Sequence, residues 1–140
     1  MPEETEAYTR AQLAQAAGVP PNVVQHWERQ GLLAPSVHQA KAGEGRPNLY
    51  SLVDVAIAAF IGQARSLGLG RPAIAPIVAA LAADPHLVPG WSGWVVVTAG
   101  GQVRLNTDLE LLLEVLAARG TPAALIGRID ATAQTIEEAS

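Results

Sequence analysis

The strongest constraint on the fold is the stretch from Gly18 to Leu33, which has the pattern of a turn, one short helix and a stop. Pro21 suits the first turn of a helix, and Gly31 suits its end because glycine adopts positive φ without strain. At about 3.6 residues per turn, Val24 and Trp27 fall on one side of this helix. The sequence therefore predicts a helix with one buried face and one polar face.

The polar face of this helix carries side chains suited to nucleic acid. Its members are Asn22, Gln25, His26 and Arg29. Their amide, imidazole and guanidinium groups can hydrogen-bond to base edges and phosphates, and a glutamine such as Gln25 can pair with adenine through two hydrogen bonds. Any solvated helix also has a polar face, so the neighbouring sequence has to decide between DNA contact and simple solvation.

A second short helix is predicted just upstream. Thr9 and Gln12 have the spacing of a capping box, and an apolar stripe follows them as far as Gly18. This pattern predicts a helix from Arg10 to Ala17, and two short helices joined by a tight turn form a helix-turn-helix. Residues 34–49 then lose periodicity and contain several prolines and glycines, which predicts a long, partly extended loop or hairpin.

Helical patterns resume after this loop. Ser51 and Asp54 again have capping-box spacing, followed by an apolar stripe that continues to Leu67. The segment from Arg71 to Ala83 predicts a fourth helix. Pro76 lies inside it, so we expect either a kink there or a helix that begins later, because proline removes a backbone hydrogen bond.

The carboxy-terminal part has a different pattern. The valine-rich segment at 94–98 and the segment at 102–106, joined by a glycine turn, predict a β-hairpin. A hairpin alone is marginal in water, so we expect it to be covered by the next helix, capped by Thr107. Another helix is predicted after Pro122, with a stripe formed by Leu125, Ile129, Ala133 and Ile136.

Charge is unevenly distributed along the chain of 140 residues, whose net charge is −4. Residues 8–72 hold six basic and three acidic residues, whereas residues 73–140 hold three basic and seven acidic ones. A basic module beside an acidic one is typical of a nucleic-acid-binding protein, although random scatter of charges is the alternative.

Composition and motifs exclude several classes of protein. The chain has no cysteine, and none of His26, His38 and His86 has a partner at a metal-ligand spacing, so no metal site or cofactor is predicted. The amino terminus lacks the pattern of a secretory signal, and the apolar stretch from Pro72 to Ala83 is too short to span a bilayer. We expect a cytoplasmic protein without a membrane partner.

The order of these parts resembles the MerR family of winged-helix transcriptional regulators. The matching residues are Tyr8-Thr9, Leu13-Ala14, Gly18-Val19, Trp27-Glu28-Arg29, Gly31-Leu32-Leu33, Pro35, Arg46, Tyr50-Ser51, Asp54-Val55 and Leu67-Gly68. The resemblance implies a homodimer on double-stranded DNA, with the helix from Pro21 to Gln30 in the major groove and residues 34–49 as a wing on the flanking backbone. It also implies that binding distorts DNA to realign promoter elements, which makes RNA polymerase a candidate partner.

The chain departs from the family at two positions: Gln25 and Asn48 stand where members usually have arginine. Phosphate contact should therefore depend more on the remaining basic residues. Nine residues are expected to contact DNA: Arg10, Asn22, Gln25, His26, Arg29, Lys41, Arg46, Asn48 and Tyr50. Trp27 is expected in the core, and Glu28 is expected to be structural, since an exposed carboxylate would repel DNA.

The predicted fold class is mainly α with a small β component: a winged helix-turn-helix module followed by a β-hairpin and two C-terminal helices. The predicted domains are 8–83, which binds DNA, and 84–140, which serves dimerisation or an effector. Trp91 and Trp94 are candidates for lining the pocket of a small-molecule effector, with core or interface packing as the alternative.

Two alternatives to a transcriptional regulator stay open, and a third is not expected. An architectural or phage-type factor would bend DNA without an effector, and a protein adaptor would keep the winged helix but not DNA binding. An enzyme is not expected: the sequence around Ser92 lacks the spacing of a nucleophile elbow, and Gly68-Leu69-Gly70 lacks the rest of a dinucleotide loop.

Overall fold

The computed structural model describes residues 7–38, 43, 45 and 47–132. Within these residues the elements, in chain order, are α1 (Arg10–Ala17), α2 (Pro21–Arg29), α3 (Leu52–Ser66), α4 (Arg71–Ala83), β1 (Ser92–Thr98), β2 (Val103–Asn106), α5 (Leu109–Ala118) and β3 (Ala123–Asp130). Five helices and one small sheet confirm the mainly α class with a small β component.

The helix ends follow the cap residues in the sequence. The Thr9 hydroxyl accepts from the Gln12 amide at 3.2 Å, and the Gln12 side chain accepts from the Thr9 amide at 2.9 Å, which confirms the capping box before α1. Ser51 and Asp54 form the same pair before α3, at 3.1 and 2.9 Å. Each box satisfies backbone N–H groups that a helix start would otherwise leave unpaired.

Helix α4 begins at Arg71, directly after the cap residue Gly70, and continues through Pro76. The alternative of a later start is therefore wrong. Pro76 is exposed to solvent. Its missing hydrogen bond is tolerated within a helix whose opposite face, including Ile74 and Leu81, is fully buried.

The three strands form an antiparallel sheet in the order β2-β1-β3. β1 and β2 are the predicted hairpin, and α5 carries the chain over so that β3 pairs with the other side of β1. Side chains alternate along β1: Val95 and Val97 join the main core, and Val96 between them packs on the opposite side, against α5.

The predicted second C-terminal helix is wrong, because residues 123–130 form strand β3. Leu125 and Ile129 are four residues apart, which suits a helical stripe but also places both side chains on one face of a strand. In β3 they face the core, where Ile129 is 1% exposed. Ala133 and Ile136, the rest of the predicted stripe, lie outside the described residues.

Helix α5 is capped by Asp108, one residue later than the predicted Thr107, because the Asp108 carboxylate accepts from the Leu111 amide at 3.1 Å. Leu112 and Leu116 of this helix pack on Val96. The prediction that this helix covers the hairpin is confirmed, on the outer face of the sheet only.

The main hydrophobic core of the described residues connects the first four helices to the sheet. Each of α1, α2, α3 and α4 contributes buried residues to it, and so does the inner face of the sheet. Examples are Leu13, Val24, Trp27, Ile61, Ile74, Val95 and Ile129. The burial of Trp27, at 2% exposure, confirms its predicted place in the core. The division into units 8–83 and 84–140 stays a prediction.

Candidate nucleic-acid interface

Helix α2 presents the polar face expected from the sequence. Val24 and Trp27 are buried, and these four side chains are exposed on the other side: Asn22, Gln25, His26 and Arg29. Apolar residues three apart fix one side of a helix against the core, so the polar residues between them must face outward. The result is an open surface with amide, imidazole and guanidinium groups.

The turn before α2 fixes the angle between the first two helices. Gly18 closes α1 in the left-handed conformation, with φ of 72°, and the Val19 amide donates to Ala14 O at 3.0 Å. Pro21 then starts α2 at a position where no backbone N–H is needed. At the other end Gly31, with φ of 76°, ends the helix. Both glycines therefore serve the turn geometry that the sequence predicted.

The Glu28 carboxylate joins three parts of the module. It accepts from the Tyr50 hydroxyl at 2.6 Å, from Asn48 Nδ2 at 3.0 Å and from Arg10 Nε at 3.1 Å. These donors come from the start of α1 and from the chain just before α3. The Glu28 side chain is 14% exposed, so the contacts are partly shielded from water. The structural role predicted for Glu28 is therefore to link α2 to the start of α1 and to the chain just before α3.

The same contacts change the acidity of the groups involved. Burial, and then the hydrogen bond to Glu28, raise the pKa of Tyr50 to about 12. Burial alone would lower the pKa of Arg10, but hydrogen bonds to Tyr50 and Glu28 outweigh it and raise that pKa. At neutral pH the phenol is protonated and the guanidinium charged even without these shifts, and both shifts move the pKa values further from neutrality.

A second carboxylate fixes the base of the predicted wing. Asp54 is 7% exposed and accepts from both the amide and the hydroxyl of Ser36, at 2.9 and 2.6 Å. Its capping bond to Ser51 is the only part of this arrangement that the local sequence indicated. Beyond Ser36, His38 and Leu49 form an isolated antiparallel bridge. The two ends of the predicted loop or hairpin are therefore held together.

The far end of α2 is tied to α4. Arg71, the first residue of α4, donates from Nε to the Gln30 carbonyl at 3.1 Å. A cation at this position interacts favourably with the carbonyls at a helix C-terminus. Nothing in the sequence signalled this contact, because the two residues are 41 positions apart.

The structure groups the nine predicted contact residues in three sets. Asn22, Gln25, His26 and Arg29 share the exposed face of α2. Arg10, Asn48 and Tyr50 meet at Glu28, so their donors are directed at least in part into the protein. Lys41 and Arg46 lie outside the described residues.

The two tryptophans proposed for an effector pocket have different surroundings. Trp91 is partly buried against the main core, and Gly93 gives it room: a Cβ there would lie 2.6 Å from the Trp91 ring. Trp94 lies on the outer face of the sheet, with the Arg128 guanidinium 5.7 Å from its ring centroid. Both arrangements match the packing alternative, and a ligand role stays a prediction.

Two features are absent from the described residues. Among them, no group of three or more His, Cys, Asp or Glu side chains is arranged to hold a metal ion. No helix in the described part of the chain has the length and apolar character needed to cross a bilayer.

These elements define a class of protein. Two short helices meet at a tight turn, the second carries an exposed polar face, and α3 and α4 complete the packing, as in a helix-turn-helix regulatory protein. The sequence matches the family described as MerR HTH family regulatory protein over residues 8–81, more than half of the chain. The chain belongs to this family, which is one of regulators rather than of enzymes. Among curated proteins no match to the chain was found.

Proposed function

We propose that this protein is a sequence-specific DNA-binding transcriptional regulator that acts as a homodimer and places α2 in the major groove. The observation that carries the proposal is the exposed face of α2, with Asn22, Gln25, His26 and Arg29 beside one another. A helix fits the major groove of B-DNA, where each base pair has its own pattern of donors and acceptors. Membership of a regulatory helix-turn-helix family supports the same function.

The contacts of Glu28 remove an obstacle to this function. A carboxylate on the DNA-binding helix would repel phosphates if it were exposed. Here Arg10 neutralises it within a hydrogen-bonded cluster, and 14% of its side chain is exposed. The net electrostatic contribution of α2 at the DNA surface therefore comes from Arg29, which favours binding through release of counterions.

The segment at 34–49 is proposed to act as a wing on the flanking backbone. Its base is fixed through Asp54 to the start of α3, and its last residues connect through Asn48 to α2. A wing held at a set distance from α2 would contact the DNA backbone in a fixed register with the major-groove contacts. Such two-part binding also supports the proposed distortion of promoter DNA, with RNA polymerase as the partner that responds.

The proposed homodimer predicts a pseudo-palindromic site. A dimer with two-fold symmetry presents two copies of α2, so each copy reads one half-site. Residues 84–140 are proposed to supply the dimer contacts, an effector response, or both.

The test is a mobility-shift measurement with the full chain, using its own upstream DNA and random DNA over a series of salt concentrations. A steep salt dependence with preference for one site supports the proposed regulator. A steep dependence without preference contradicts sequence-specific regulation and indicates an architectural factor. The absence of any shift at low salt contradicts DNA binding altogether and indicates a protein adaptor.

A further inference from the structure

A cavity of about 770 Å³ lies between the helix-turn-helix and the edge of the sheet. Its walls come from the second half of α1, one side of α3 and the end of β3. Binding sites for small molecules have volumes of about 300–1,000 Å³, so the space suits a small organic molecule. Neither Trp91 nor Trp94 lines it, and neither do the described residues expected on DNA. The cavity is therefore a separate candidate site.

Small side chains form the floor of the cavity. Ala56, Ala59 and Gly62 line it from one side of α3, and Ala16 lines it from α1. Gly62 is required for packing, because a Cβ there would lie 2.3 Å from the Ala17 carbonyl oxygen. Ala59 differs, because its side chain is partly exposed and faces open space in the cavity. The result is an apolar surface without large side chains, which leaves room for an aromatic ring.

The rim of the cavity carries more positive than negative charge. Arg65 and Arg128 line it, and Asp130 is the acidic residue among the described lining residues. The Asp130 carboxylate accepts from the amide and the hydroxyl of Thr132, at 3.1 and 2.6 Å, so part of its charge is already compensated. The Arg128 guanidinium lies 5.7 Å from the centroid of the Trp94 ring. Arg65, exposed on α3, is therefore the cation best placed to meet an anion in the cavity.

The edge of β3 adds hydrogen-bond donors to the same cavity. β3 is an outer strand of the sheet, and positions that bond to the neighbouring strand alternate with positions that do not. The Ala131 amide donates to the Trp91 carbonyl at 2.8 Å, so the backbone of Ile129 is also turned toward β1. The backbone N–H and C=O groups of Arg128 and Asp130 therefore point away from β1, at the edge that borders the cavity. A carboxylate can accept from these N–H groups.

We propose that this cavity binds a small organic anion, with an aromatic body on the alanine floor and a carboxylate held by Arg65 and the edge of β3. Arginine binds carboxylates through charge-assisted hydrogen bonds, often two at a time. Arg128 and Asp130 lie beyond the residues that match the family, so the site depends on this chain's own C-terminal strand. The proposal goes beyond the DNA-binding function and does not rest on it.

The test is a titration of the full chain with 2-naphthoate, without DNA, followed through the amide NMR signals. Gly18 and Gly62 line the cavity and should show saturable shifts, whereas Gly101, in the hairpin turn, should not respond. The amide 2-naphthamide has the same rings without the charge and should bind at least about tenfold more weakly. The absence of saturable shifts at Gly18 and Gly62 at millimolar concentration overturns the proposal, and so does equal affinity for the two probes.

Substitutions test the groups that hold the anion. Arg65→Gln should weaken 2-naphthoate binding at least about tenfold and leave 2-naphthamide binding unchanged. Arg119→Gln is the matched control, because Arg119 is an exposed arginine directly after α5, outside the cavity. Ala59→Trp fills the cavity and should abolish binding of both probes. Arg65 is exposed, so its variant keeps the core intact and remains decisive if Ala59→Trp fails to fold. Equal binding of 2-naphthoate by Arg65→Gln and the wild type overturns the proposal.

Discussion

The hydroxyl of Tyr50 donates a 2.6 Å hydrogen bond to the carboxylate of Glu28, although the two residues are 22 positions apart in the sequence. Tyr50 lies at the end of the predicted wing, and Glu28 lies in α2. Asn48 and Arg10 donate to the same carboxylate. The position of α2 relative to the chain before α3 is therefore fixed by one acidic side chain.

The first prediction concerns the acidity of Tyr50. Its pKa, raised from 10.0 to about 12, should fall in Glu28→Gln, because the amide removes both the negative charge and the stronger acceptor. The measurement is ultraviolet titration of tyrosinate in the folded protein. Tyr50→Phe identifies which part of the titration belongs to this residue, since Tyr8 is the other tyrosine. An unchanged titration in Glu28→Gln would show that burial alone sets the acidity.

The same shift predicts how stability depends on pH. A folded-state pKa above the ordinary value means that the folded protein binds this proton more tightly than the unfolded chain does. The stability that the Tyr50 proton adds to the folded state is fully present below about pH 10, and it is lost as the pH rises toward about 12. It amounts to at most about 3 kcal/mol, at roughly 1.4 kcal/mol per pKa unit. Tyr50→Phe should therefore lose less stability than the wild type over this interval in denaturant unfolding.

The second prediction concerns the contact between α1 and α3. A Cβ at Gly62 would lie 2.3 Å from the Ala17 carbonyl oxygen, a backbone atom that can move only with its helix. Gly62→Ala should therefore lower the free energy of unfolding by about 1–3 kcal/mol, as overpacked cores do. The matched control is Gly100→Ala, where the nearest atom is 3.8 Å away. Equal melting temperatures for the two variants would contradict this close helix contact.

The third prediction concerns base readout by Gln25. Gln25→Ala should relax preference at one base position of each half-site and cost about 1–3 kcal/mol against the preferred base there. Selection of binding sites from random DNA measures this preference directly. If the selected sites of the variant and the wild type have the same base at every position, Gln25 contacts no base.

Local patterns predicted the helix-turn-helix part well, for identifiable reasons. The capping residues at Thr9 and Ser51 act within three positions, so their effect is visible in a short window of sequence. Gly18 and Gly31 mark turns by their own backbone freedom. The exposed face of α2 follows from the burial of Val24 and Trp27, which the helical period alone indicates.

Long-range contacts could not be predicted in the same way. The donors to Glu28 lie 18 to 22 residues from it, so no local spacing brings them together. Strand β3 was missed because a spacing of four suits a strand face and a helix face equally. Gly127 is the residue in this segment that argues against a helix, because a glycine inside a strand often marks a close approach of another group. In the structure that group is the ring of Phe60, which would lie 3.3 Å from a Cβ at position 127.

The most direct test of DNA binding through α2 compares Arg29→Ala with Arg104→Ala. Both arginines are exposed, but Arg104 lies in β2, outside the residues that match the family. The measurement is affinity for the preferred site over a series of salt concentrations. We predict that Arg29→Ala weakens binding to all sequences and reduces the salt slope by about one, whereas Arg104→Ala matches the wild type. Equal affinity and slope for all three proteins would contradict the placement of α2 on DNA.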